Sequence, residues 1–339
     1  MNSWLFLLAP VSVLAVMFFF GVIGCAAIAG LDEVFTAPTY DERVKGEASL
    51  VAYWRLGEPS STPVPSSGGA AKSQVGPNNG DYEPLAKAPV DNARHSPPVG
   101  PSPIQLGLPG LLTKFPNETG MQSKDGAGYV QVPFAPDLNP PNFTFEAWVN
   151  PDIGDDDNQS PGNYYCIVES TGPPGKNGLG AKKFGFGLYI GPKDVPPKTP
   201  PGQYFWQIWM GDGNKLSQVA VSKDPVTFKK TTYLVLTFDN TKLQLFLYLP
   251  GTGQDLDKIA GQFSATFPQF KPVDSTILGD FYIGSGSNLY PAVPGIPAQR
   301  LYPFKGYIQE VALYNTDLSA PNNQGLGNLA GHEQSGGDI

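Results

Sequence analysis

The chain reads as an all-β domain, a sandwich or barrel, preceded by a single N-terminal transmembrane helix. Three observations predict this. The 339 residues include 40 Gly and 36 Pro, with aromatics at 12%. Short apolar runs recur between turn residues. The first part of the chain is apolar and uncharged. Gly and Pro at this density punctuate short strands and turns rather than long helices. With the membrane segment and the unpatterned stretches set aside, roughly 200 residues remain, the size of one β-sandwich.

The helix comes first. From Met1 to Leu31 there is no charged side chain, and Trp4 to Leu31 is an almost unbroken apolar run of 28 residues. A bilayer's hydrocarbon core takes about 20 helical residues, so this run can cross with tilt. Pro10 falls near its start, where the hydrogen bond it removes matters least. Gly21, Gly24 and Ala27 place small side chains along the second half, a surface on which another membrane helix packs closely. A cleaved secretory signal would open with a basic region and a shorter apolar core, whereas the first basic residue here is Arg43. Val22-Ile23-Gly24-Cys25 resembles a lipobox, yet the residues after Cys25 stay apolar to Leu31. The expectation is a retained single-pass anchor over 1–31, with lipidation of Cys25 left open. No Lys or Arg precedes the helix, and Asp32 and Glu33 follow it directly. The β domain is therefore expected on the extracytoplasmic, periplasmic side.

Residues 32–48 read as a polar connector and 49–318 as the β domain. Leu50 to Leu56 opens it. A Pro/Gly/Ser/Asn-rich insertion at about 57–113 then shows almost no apolar periodicity, the mark of a disordered segment or a binding surface. Strands resume at Gly128 to Val132 and continue at Phe143 to Val149, Tyr164 to Glu169, Phe184 to Ile190 and Tyr204 to Met210. Tyr233 to Phe238 and Leu243 to Tyr248 flank Asp239-Asn240-Thr241-Lys242 as a hairpin, because Asp and Asn tolerate turn geometry. Phe281 to Gly284 and Tyr307 to Tyr314 complete the set. The tail, 319–339, is polar and expected to drape or fray. Cys166 reads as a small buried apolar residue.

Four of these segments together resemble the laminin-G-like branch of the concanavalin A-like lectin/glucanase superfamily. They are Leu50 to Gly57, Gly128 to Asp152, Tyr233 to Phe246, and Phe304 to Tyr314. The resemblance implies a jelly-roll sandwich of two antiparallel sheets. It also implies calcium in loops, for which Asp155, Asp156 and Asp157 are the candidate ligands, hard oxygens clustered in one turn. A solvated acidic turn is the plainer reading of the same residues.

The formal charge of -8 excludes nucleic acid as a partner, since that needs a basic patch. Catalytic relatives would present paired carboxylates. Glu146, Asp152 and Glu310 do not make such a pair at strand spacing, so no catalytic residue is assigned and the chain is expected not to be an enzyme. His95 and His332 are expected in solvent, and no cofactor besides calcium is implied. Trp206 and Trp209 are candidates for stacking on sugar rings, although alternate residues of a strand face opposite sides.

Two functions follow. The first is a non-catalytic, membrane-anchored interaction subunit. Its helix would lie in the lipid bilayer and, with the loops, pack on an integral membrane protein complex, electron-transport or photosynthetic. The second is a membrane-tethered lectin that binds carbohydrate at the cell surface or in the periplasm.

Overall fold

The computed structural model describes residues 38–58, 70–84, 104–112, 119–123, 128–153, 164–172, 184–192, 203–252, 262–287, 289–290, 299–320 and 326–336. Two antiparallel sheets carry the fold. In sheet A the strand order is β14 (Phe263–Thr266), β13 (Lys242–Tyr248), β12 (Thr232–Phe238), β7 (Phe143–Pro151), β18 (Gly306–Tyr314), β5 (Thr119–Ser123) and β4 (Gln105–Pro109). The opening strand β1 (Leu50–Trp54) also pairs with β18, so the two ends of the domain meet in one sheet. Sheet B runs β11 (Leu216–Pro225), β10 (Phe205–Gly211), β9 (Gly185–Gly191), β8 (Tyr165–Thr171), β15 (Phe281–Ile283), β6 (Gly128–Val132), β3 (Gly80–Pro84) and β2 (Ala70–Ala71). A small ribbon, β16 (Leu289–Tyr290) with β17 (Gln299–Arg300), stands apart.

The main core lies between the sheets. From β7 it takes Phe143, Phe145, Ala147 and Val149, from β12 Leu234, Leu236 and Phe238, and from β9 Phe186, Leu188 and Ile190. These are alternate residues, as the two-residue period of a strand requires. The predicted hairpin is present: Asn240 has φ 71°, and the Asp239 carboxylate accepts the Thr241 N–H at 2.8 Å.

Sheet A is buried on its other face as well. A second apolar cluster gathers Trp148 of β7, Tyr233 and Val235 of β12, Phe246 and Tyr248 of β13, and Tyr314 of β18. Two short helices cover it, α1 (Tyr40–Gly46) and α2 (Leu326–Gly336), contributing Tyr40, Val44, Leu329 and Ala330. A strand buried on both faces reads as a continuous apolar run, which is what Tyr233 to Leu236 shows. Helix α1 starts from a capping box: Thr39 Oγ1 accepts the Glu42 N–H at 3.3 Å, and Glu42 accepts the Thr39 N–H at 2.8 Å.

Several expectations change. The polar connector contains α1. The insertion contributes β2, β3 and β4, because strands at a sheet's periphery need little apolar periodicity when the neighbouring strand supplies the pairing. The tail contains α2, and His332, expected in solvent, is 2% exposed. Its charge is matched inside, so burial is tolerated. The predicted anchor over 1–31 lies outside the described residues. Among the described residues no helix is long and apolar enough to cross a membrane.

Candidate functional site

The outer face of sheet B carries a row of cross-strand partners that runs over seven strands: Gln218, Trp209, Gly187, Glu169, Tyr282, Gln131 and Asp81. At about 4.8 Å per strand step the row is roughly 29 Å long. Aromatic, amide and carboxylate groups alternate along it. Its ends are open, with Trp209, Gln218 and Gln131 partly exposed and Asp81 exposed. Glu169 and Tyr282 in the middle are buried.

The pattern of β9, Gly-Phe-Gly-Leu-Tyr-Ile-Gly, builds the Trp209 end. Its large residues fill the main core, which leaves glycine on the outer face at three of the four positions. A Cβ on Gly191 would meet the Tyr164 ring at 2.4 Å, and one on Gly187 would meet the Tyr189 ring at 2.6 Å. The two glycines thus seat two tyrosines. Tyr164 stands edge-on to Trp209, ring centroids 6.3 Å apart, and to Tyr302 at 5.8 Å. Tyr302 is edge-on to Tyr189 at 5.9 Å.

Polar groups floor this aromatic patch. The Glu169 carboxylate accepts from the hydroxyls of Tyr189, Thr171 and Ser287, the last at 2.6 Å. Burial, and then the charge of Glu169, push the Tyr189 phenol well above its usual range, so it stays a donor. Gln207 donates from Nε2 to the Pro192 carbonyl at 2.5 Å and accepts from Gln218. Rings standing beside fixed amide and carboxylate groups suit a ligand with both apolar faces and hydroxyls.

Of the residues singled out in the sequence, Trp209 belongs to this patch. Trp206 does not: it points into the main core, 2% exposed, where no sugar can reach it. Asp155, Asp156 and Asp157 lie outside the described residues, as do Gly21, Gly24 and Ala27. Among the described residues no group of three or more His, Cys, Asp or Glu could hold a metal ion. Glu169, Gln207 and Gln218 went unrecognised. The alternation of glycine with large apolar residues in β9 was the available signal, since it marks one face kept bare beside one packed.

A second polar cluster is buried under α2. The Glu146 carboxylate, on the outer face of β7, accepts from the hydroxyls of Tyr233 and Tyr314 and faces His332 Nδ1 at 3.2 Å. His332 Nε2 lies 3.6 Å from Glu47. Nearby, Glu310 sits at a bulge of β18 with φ 55° and takes Arg55 Nε at 3.3 Å and the Tyr53 hydroxyl.

The fold and this face together describe a two-sheet lectin-type sandwich. The chain belongs to the concanavalin A-like lectin/glucanase superfamily, whose laminin-G-type family model matches residues 124–322. No curated protein sequence matches it. Solved structures similar to it include domain 4 of AbnA, a GH43 extracellular arabinanase from Geobacillus stearothermophilus, in complex with arabinotriose. That similarity has 15% identity and a TM-score of 0.44, covering 82% of this chain and 97% of that one. The Ca2+/Man2-bound exoplasmic/lumenal domain of VIP36 is similar at 10% identity and TM-score 0.33, covering 56% of this chain and 71% of that one. A Trypanosoma rangeli sialidase in complex with 2,3-difluorosialic acid is similar at 15% identity and TM-score 0.38, covering 86% of this chain and 34% of that one. At TM-scores below 0.5 these likenesses carry no argument, and the assignment rests on the family model.

The expectation that the chain is not an enzyme is corrected. The superfamily to which the matching family model belongs takes in glucanases as well as lectins. Membership therefore gives no ground for excluding catalysis.

Proposed function

We propose that the protein is a membrane-tethered carbohydrate-binding domain that presents the outer face of sheet B to a glycan. The observation that carries this reading is Trp209, partly exposed and braced by Tyr164, beside the partly exposed amide of Gln218, which buried Gln207 holds in place. A sugar ring would stack on the indole while its hydroxyls meet the Gln218 amide. The superfamily's lectin membership supports the reading. The apolar segment 1–31 would hold the domain at the extracytoplasmic surface, and Asp155–Asp157 would supply calcium near the loops. A glycan array probed with the full-length detergent-solubilised protein, with and without calcium, tests this. Binding to a linear glycan is expected, and a blank array in both conditions refutes it. A dependence on calcium would support the Asp155–Asp157 assignment.

The small side chains at Gly21, Gly24 and Ala27 favour a second reading, in which the anchor packs against helices of a larger membrane complex. Co-purification in mild detergent tests it: stable companion proteins are expected, and a lone monodisperse monomer counts against it.

A further inference from the structure

Helix α2 is poorly built to stand alone. Its 11 residues, Leu-Gly-Asn-Leu-Ala-Gly-His-Glu-Gln-Ser-Gly, include three glycines, and it has no acid in its first turn or base in its last. Interior glycines each cost a helix about 1 kcal/mol relative to alanine, and helices this short are marginal in water. Its order must come from what it lies on. Leu329 and Ala330 are buried on sheet A, and the glycines allow close approach there. A Cβ on Gly336 would meet the Trp148 ring at 2.8 Å, and one on Gly331 would meet the Arg43 guanidinium at 2.8 Å. A polar anchor is His332, stacked on Tyr314 with centroids 6.4 Å apart and set against the Glu146 carboxylate.

We infer that α2 is a clasp that opens and closes as a unit over the outer face of sheet A, with the His332–Glu146 pair as its catch. The main core between the sheets owes nothing to α2, so the sandwich can stay folded while the clasp is open. Opening would uncover Tyr314 and the part of the face around Trp148 and Tyr233 that Tyr40 of α1 leaves bare. It would also remove the contacts that α2 makes with Tyr40 and Glu47.

The groups that face His332 fix the conditions for closure. They are Glu146 from β7, the hydroxyls of Tyr233 and Tyr314 from β12 and β18, Tyr40 from α1, and Glu47 just beyond α1. Arg43 lies beside Gly331, and Glu333 is the neighbour on α2 itself. Burial lowers the His332 pKa, but the Glu146 charge and hydrogen bond, then Glu47, outweigh it and hold the pKa at about 9. Burial raises the Glu146 pKa, but the charge of His332, its hydrogen bond and the two tyrosine hydroxyls bring it below the usual glutamate value. Closure is therefore strongest above the carboxylate range and weakens as pH rises from about 6.5 through about 9.

Hydrogen exchange on the full-length protein, corrected for the pH dependence of intrinsic exchange, tests the clasp. Between pH 7 and pH 10 the amides of α2 are expected to lose roughly 10- to 100-fold in protection and to stay far less protected than those of β12 and β13 at both pH values. The variant His332→Gln should show the low α2 protection already at pH 7, with no further loss. Equal α2 protection at both pH values in the unmodified protein overturns the inference, and so does full protection in His332→Gln. Equal protection of α2 and of β12 and β13 at both pH values overturns it too, because α2 would then open only when the whole sandwich does. The series on the unmodified protein decides the matter even if the variant fails to fold.

Discussion

Trp206 and Trp209 are three residues apart on β10 and face opposite sides of sheet B, so the same substitution should have opposite consequences. Trp206 is packed between the sheets, and Trp206→Ala is expected to destabilise the fold by about 3–5 kcal/mol, seen as a large drop in the calorimetric melting temperature. Trp209 is partly exposed beside Tyr164 and Gln218. Trp209→Ala should leave most of the melting temperature intact and remove glycan retention on an affinity column. The sequence cannot separate the two tryptophans until the face of the strand is assigned, and that requires the register with β9. His332 was illegible for a different reason. Its partners Glu146 and Glu47 are far away along the chain, and a lone histidine in a polar tail gives no sign that two carboxylates await it.

Among the elements, those with strong local signals were legible. The alternating strands β7 and β13 follow the two-residue period, β12 reads as a continuous apolar run, and the β12–β13 hairpin follows its Asp-Asn turn. Elements whose order is conferred by neighbours were not. Strands β2, β3 and β4 pair at the periphery of the sheets, and α2 owes its helix to the surface beneath it. Helix α1 is intermediate. Thr39-Tyr40-Asp41-Glu42 is a capping-box sequence, a sign that a helix begins in what otherwise reads as a polar connector. Thr39→Ala should therefore cost about 1 kcal/mol, with the loss of protection in hydrogen exchange concentrated in residues 40–46. Uniform loss across the sandwich would contradict a local role for the cap.

At the scale of the whole molecule, the pH dependence of stability should carry the mark of the Glu146–His332 pair. His332 has a folded pKa of about 9 against 6.5 unfolded, so its contribution is complete below about 6.5 and is lost as pH rises through 9. Glu146 is depressed below 4.5, so its contribution is complete above that value and is lost as pH falls through its folded pKa. Melting temperatures should therefore fall on the alkaline side between about 6.5 and 9, and His332→Gln should flatten that limb. An unchanged limb in the variant would assign the pH dependence to other groups.

The central claim is that the outer face of sheet B, at its Trp209 end, binds carbohydrate. Isothermal titration of a linear glycan into the full-length protein, its Trp209→Ala variant and its Gln218→Ala variant tests it most directly. The account predicts measurable binding to the unmodified protein, a loss of about 1–3 kcal/mol in Trp209→Ala, and a smaller loss in Gln218→Ala. Equal affinity in all three proteins would contradict it.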